Sequence, residues 1–208
     1  MSNSGQLSQL QSKSPTLVEL DDGSSIRVSD IGDKNRSAKA IVNFTGSNLV
    51  SLLSWNALPK IVNNSGINKK LELDKGIEVG DKGKKVTTEV WKSSFSLSED
   101  FREDFLKELA ELVPEEIFTG NVQSALIVRH ISQPSKLGEG EWSLDLVANL
   151  VFFSHGDEVN RAISFNKKIF VRAIDTPALP NNPSEAQKVA YKVRKAGMEI
   201  FKIQDLKL

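Results

Sequence analysis

The sequence predicts an α+β domain: amphipathic helices packed on a curved antiparallel sheet, with an N-terminal hairpin and a short C-terminal helix. Three observations carry that prediction. The last third holds three long strand patterns, NVQSALIVRHI, EWSLDLVANLVFFS and RAISFNKKIFVRAID, separated by QPSKLGEG and HGDEVN, both of hairpin composition. Ahead of them, two segments repeat apolar residues at helical spacing and so have a stripe to bury. After them, Ser184-Glu185-Ala186-Gln187 forms a capping box that opens a last helix. A chain of 208 residues is long enough to close one full core over such layers.

In chain order, residues 1–14 carry too little apolar surface to offset the entropy of ordering and read as a flexible tail. Residues 15–208 read as a single α+β domain: a hairpin appendage at 15–36, a core at 37–180, and a C-terminal helix and tail at 181–208. The hairpin is TLVELDDGSSIRV, where two β-rich runs flank the turn dipeptide Asp22-Gly23. From Ser37 the period changes. Ile41, Val42, Phe44, Leu49, Leu52, Leu53 and Trp55 share about half of a helical circumference, opposite Asn43, Ser47 and Ser54. Gly46 inside this helix costs about 1 kcal/mol relative to alanine, which points to a close crossing or a local break.

Asn56 to Pro59 end the helix, Asn63 to Gly66 read as loop, and LELDKGIEV with GDKGKK read as short extended pieces joined by glycine turns. KVTTEVWKSSFSL has the β-branched and aromatic content of a strand. Ser96-x-x-Glu99 then closes a capping box, and Phe101, Phe105, Leu109 and Leu112 recur on one face of a helix that Pro114 stops. In the meander, residues 122 to 131, 142 to 153 and 162 to 174 are expected as consecutive antiparallel strands, with Trp142, Leu144 and Leu146 facing the helices. Beyond Ser184, Val189, Ala190 and Val193 make a narrow apolar stripe, Gly197 suits a helix end, and MEIFKIQDL returns as an edge strand or packs as a tail.

Charge and composition exclude several classes of function. With 27 basic and 27 acidic residues the chain lacks the basic excess of a nucleic-acid binder, so no nucleic acid is expected as a partner. KGKK at Lys82 to Lys85 reads as a solvated loop. The absence of cysteine excludes disulfides, thiolate nucleophiles and thiolate metal sites. Two histidines, His130 and His155, fall on different elements, which argues against a histidine-rich metal site. No apolar run reaches the roughly 18 residues that span a bilayer, and Met1 to Lys13 is polar rather than signal-like. That polar Gln/Ser/Leu-rich start resembles a linker following a lost anchor, so contact with a membrane is expected only through an anchor absent from this chain.

Few residues advertise chemistry. Asp175-Thr176 looks like the start of an aspartic-protease loop, but Pro177 stands where that loop needs glycine and no second carboxylate shares the proton, so Asp175 reads as a corner. His130 alternates with Val122, Leu126 and Val128; it faces a pocket as a base or, the commoner case, is buried and hydrogen-bonded. His155 reads as a turn residue, and Asp145 with Arg129 as a cross-strand ion pair. Trp91 and Trp142 line a cavity or serve as core aromatics. No nucleotide fingerprint or Ser/His/Asp spacing occurs. The expected site inventory is therefore no catalytic, cofactor-binding or metal residue and no cofactor, with Trp91, His130 and Trp142 as candidate cavity-lining residues.

Three stretches carry a family resemblance: SPTLVELDDGSSIRV, AKAIVNFTGSNLVSLLSWN, and GEWSLDLVANLVFF through KKIFVRAIDTP. In that order they resemble the cone-shaped nuclear-transport-factor-like superfamily, and within it the extracytoplasmic domain of inner-membrane assembly proteins of bacterial type IV secretion and conjugation machines. They cover most of residues 15 to 180; the closing helix at Ser184 lies outside the match. The resemblance implies a non-enzymatic scaffold that forms a weak dimer with itself and binds other subunits of a membrane complex. It implies the extracytoplasmic face of an inner membrane if an anchor was removed, and the cytoplasm otherwise. Two alternatives stand beside it: a small-ligand-binding or isomerase/dehydratase-like enzyme using the cone cavity, with His130 or an inward carboxylate as base, and a cytoplasmic adaptor domain.

Overall fold

A computed structural model of the chain describes residues 16–19, 25–28, 34–58, 72–80, 83–154 and 159–206. The expected tail at 1–14, the Asp22-Gly23 turn, the Asn63 to Gly66 loop and His155 lie outside the described residues. The chain divides into two compact units, Met1–Asn35 and Arg36–Leu208. The first contains the expected hairpin: β1 (Thr16–Glu19) pairs antiparallel with β2 (Ser25–Val28).

The second unit begins with α1 (Ala38–Leu53), opened by Ser37, whose hydroxyl accepts the Ala40 N–H. Its buried stripe is Ile41, Phe44, Leu49, Leu52 and Leu53, as the 3.6-residue period requires. The helix runs through Gly46 without a break. A Cβ at that position would lie 3.2 Å from Ile131 Cδ1, so the glycine marks a close crossing over the sheet. Trp55, two residues past the helix, is fully buried, donates Nε1–H to the Leu52 carbonyl at 2.9 Å and meets Phe152 edge-on. Two short strands, β3 (Ile77–Glu78) and β4 (Lys85–Val86), then pair antiparallel.

Here the structure corrects the sequence reading. Only Lys85–Val86 of KVTTEVWKSSFSL is strand; the rest is α2 (Thr88–Ser93) followed by a 3₁₀ turn at Ser94–Ser96. Thr87 is the reason: its backbone is extended, its hydroxyl accepts the Val90 N–H at 3.3 Å, and Glu89 sits in the positive first turn. Asp74 reinforces this start by accepting the Thr88 N–H at 2.6 Å and its hydroxyl at 2.8 Å. Capping therefore outweighed β propensity. The next helix, α3 (Glu99–Leu112), also differs from expectation, because its N-cap is Ser98. The Ser96 hydroxyl donates instead to the Ser93 carbonyl at 2.7 Å, and no capping box forms. The buried stripe of α3 is Leu106, Leu109 and Ala110, with Phe101 and Phe105 at its margin and Leu112 62% exposed. The exit through Val113 and Pro114, which carries Val113 and Ile117 into the core, sets that rotation.

The sheet contains β5 (Val122–Ile131), β6 (Ser135–Gly138), β7 (Glu141–Ser154), β8 (Val159–Ala173) and β9 (Met198–Asp205). Its order is β5-β7-β8-β9 with β6 also on β7, every pairing among these strands is antiparallel, and the sheet is open rather than closed. Trp142, Leu144 and Leu146 are buried on the face that α1 covers, so the expected inward face of the meander is the observed one. The loop QPSKLGEG supplies the extra strand β6, and MEIFKIQDL is the edge strand β9. Between β8 and β9 lies α4 (Glu185–Arg194), opened by the expected capping box: Ser184 Oγ accepts the Gln187 N–H and Gln187 Oε1 accepts the Ser184 N–H.

Candidate functional site

Helix α4 buries none of its residues, so packing alone does not seat it. Its last residue does. Arg194 donates Nε–H to the Phe95 carbonyl and Nη2–H to the Leu97 carbonyl, each at 3.2 Å. Those carbonyls belong to the turn between α2 and α3, which is pinned to the sheet by the Ser98 N–H bonding the Ile200 carbonyl at 2.9 Å. Beside this junction Glu199 is only 5% exposed. A buried carboxylate stands when it is paired and hydrogen-bonded. Arg172, opposite Glu199 across β8 and β9, supplies Nε and Nη2, both 2.7 Å from Glu199 Oε1, and Arg194 Nη2 lies 3.6 Å from Oε2. One carboxylate thus sits between two guanidinium groups drawn from a strand and a helix.

A third arginine completes the cluster. Arg102 of α3 donates Nε–H to Ser94 Oγ at 2.8 Å and lays its guanidinium 3.9 Å from the Phe95 ring centroid and 5.8 Å from that of Trp91. Among the described residues Arg102 makes no ion pair, and its Nη nitrogens have no hydrogen-bond acceptor. Burial first, and then the neighbouring Arg194 charge, push Arg102 below the ordinary arginine value, with Glu99 opposing. Arg102 and Arg194 line one groove of about 270 Å³ between α3, α4 and the chain at 177–180, with Phe95, Leu179 and Tyr191 among its apolar lining and the largely exposed Glu99 also on its wall.

Of the candidate cavity-lining residues, Trp91 borders this cluster, and Trp142 and His130 fall elsewhere. Trp142 is buried in the core, and Trp91 is half-buried at its edge, where it stacks edge-on with Phe95 under Arg102. His130 is exposed. The cause is a bulge: Val128 pairs with the inward Ala148, but His130 pairs with the outward Val147, so the extra residue Arg129 turns His130 to the other face and returns Ile131 to the inner one. The expected Arg129–Asp145 pair does not form for the same reason. Asp145 forms an ion pair with Lys168 at 3.0 Å, and its N–H donates to Ser132 Oγ. Asp175 is exposed just past the end of β8, at the corner the sequence indicates.

Sequence reasoning does not mark Arg102, Arg172, Arg194 or Glu199 as site residues. Glu199 alone carried a signal, as a charge between Met198 and Ile200 in a strand pattern; its partners depend on register. No metal-holding group of histidine, cysteine, aspartate and glutamate exists among the described residues, and no helix among them is long and apolar enough to cross a membrane.

No protein-family model matches this sequence, and no curated protein does. Solved structures resemble it in fold. A periplasmic fragment of TraM superposes with a TM-score of 0.50 at 11% identity, over 81% of this chain and 96% of the other. An IcmL-like type IV secretion system protein from Legionella pneumophila has a TM-score of 0.49 at 9% identity, over 82% and 92%. The periplasmic domain of DotI has a TM-score of 0.49 at 12% identity, over 84% and 100%. At 11% identity, what this chain shares with the periplasmic fragment of TraM is the fold.

Proposed function

We propose that this domain is a non-enzymatic assembly module of a bacterial envelope-spanning secretion or conjugative transfer apparatus, working on the extracytoplasmic face of the inner membrane. The observation that carries the reading is the fold it shares with the periplasmic fragment of TraM, which takes in nearly all of that fragment. The chemistry of the arginine cluster supports it. Arg172, Arg194 and Glu199 satisfy one another and backbone carbonyls, and guanidinium groups do not exchange protons near neutral pH, so the cluster is built to hold geometry rather than to shuttle protons.

An assembly module needs surface. Self-association as a weak dimer fits an interface below roughly 1,200 Å², which holds when a membrane raises local concentration. The test is in-cell crosslinking of the full-length protein in its own host. Crosslinks to other subunits of an envelope complex, together with loss of DNA transfer or protein export on deletion of the gene, are expected. A deletion strain that transfers and exports normally, with the protein free in the cytosolic fraction, overturns the reading.

A further inference from the structure

We propose that the groove between α3, α4 and the chain at 177–180 receives an acidic peptide segment of a partner subunit, one carboxylate side chain meeting Arg102 and Arg194 and a flanking apolar side chain resting on Phe95, Leu179 and Tyr191. The class of partner rests on the assembly reading; the chemistry of the groove stands on the geometry.

Arg102 is held by its inner atoms. Ser94 fixes Nε and Phe95 supports the guanidinium face, so the side chain is oriented before anything binds. The Nη edge remains without an acceptor among the described residues. An oriented guanidinium with its fork free is the arrangement that takes a carboxylate through two parallel hydrogen bonds. Arg194 doubles the positive charge. Its Nε and Nη2 are committed to carbonyls, while Nη1 faces Glu99 at 3.9 Å, a loose contact with a solvated carboxylate that an incoming carboxylate can replace.

The remaining lining decides between ligands. Leu179 is 43% exposed, and with Phe95 and Tyr191 it gives the charged floor an apolar wall. A free phosphate or acetate uses the floor and wastes the wall. At about 270 Å³ the groove is smaller than the roughly 300 to 1,000 Å³ of pockets that engulf whole ligands. It suits a short stretch of extended chain, acidic-motif recognition by an arginine cluster. The Coulombic repulsion that Arg194 places on charged Arg102 is relieved by the arriving negative charge.

The test is an NMR titration of the isotope-labelled 208-residue chain with the blocked peptide acetyl-Gly-Leu-Glu-Leu-Gly-amide, its glutamine counterpart, and acetate. Expected are shifts at the Ala190 and Tyr191 amides and the Arg102 Nε–H with the glutamate peptide, with binding about tenfold weaker for the glutamine peptide, as for loss of one charge-assisted hydrogen bond. Arg102→Gln should remove the effect and Arg102→Lys keep part of it. Leu179→Asp, a substitution at a 43% exposed position outside every helix and strand, should repel the peptide in a chain that still folds. Equal shifts from both peptides, full binding by Arg102→Gln, or acetate matching the glutamate peptide would each overturn the proposal. Peptide binding by a chain that crosslinks to no envelope complex sinks the assembly reading alone; crosslinking without peptide binding sinks the groove alone.

Discussion

At the β5 end of the sheet α1 is held by burial, whereas at the β9 end α4 is held by charge. Trp55 fills the first junction, and reciprocal bonds lock it to Ser124: the Trp55 N–H donates to Ser124 Oγ and the Ser124 N–H to the Trp55 carbonyl, both at 2.9 Å. The second junction has no buried residue on its helix and hangs on Arg194 and Glu199. Burial yields large stabilisation but covers the surface it uses. A buried ion pair yields little net energy against a hydrophobic replacement, yet fixes position while leaving the surrounding apolar surface open. The groove lies at the second end, where a helix is fixed without being covered.

The largest expected effect breaks the apolar end. Trp55→Ala removes a fully buried indole and its edge contact with Phe152, and should cost about 3 to 5 kcal/mol in urea unfolding. A loss below about 1 kcal/mol would mean that Trp55 does not anchor the seam between α1 and the sheet.

The polar end should respond less. Glu199→Gln keeps the shape and leaves Arg172 and Arg194 without their shared carboxylate; because both arginines reach solvent, the cost should be about 1 to 3 kcal/mol. A double-mutant cycle with Arg172→Met sharpens the contrast: strong coupling is expected there and none between Glu199→Gln and Trp55→Ala. Coupling between the two ends would mean that the apolar and charged junctions are not independent.

How much of this was legible in the sequence follows the same division. The stripe of α1 and the inward face of β7 were readable because burial imposes a period, 3.6 on Ile41 to Leu53 and 2 on Trp142 to Phe152. Single-residue events were not readable. Thr87 caps a helix inside a stretch whose composition favours strand, and Arg129 inserts into β5 and reverses the facing of His130. The arginine cluster was hidden more deeply. Arg102, Arg172, Arg194 and Glu199 meet only because a register shift between Phe170 and Val171 aligns Arg172 with Glu199 and because α4 crosses back to the turn after α2.

Gly46→Ala probes the apolar end more gently. Alanine gains about 1 kcal/mol of helix propensity, and against this stands a Cβ 3.2 Å from Ile131 Cδ1, the far end of a side chain that can yield a few tenths of an ångström. The net change should stay within about 1 kcal/mol. Gly46→Ala combined with Ile131→Val should be more stable than the sum of the two single changes, since the shorter side chain vacates the contact. Strict additivity would show that the crossing is looser than the distance indicates.

The smallest effect lies on the edge strand. The Lys167 ammonium bonds the fully solvated Asp205 carboxylate, first by hydrogen bonding and then by its charge, and holds it below the usual aspartate range. The folded value is depressed, so this pair stabilises the fold above the unfolded aspartate value of about 3.9, and the contribution is lost as pH falls through the lower folded value. Asp205→Asn should therefore melt slightly earlier than the wild type at pH 7, and the two melting curves should converge as the pH falls through the depressed folded value. Added salt should shrink the neutral-pH gap, because an exposed pair is screened. A gap that persists in acid would assign the effect to the side chain's packing instead of its charge, and would place β9's free end with the apolar region of the molecule.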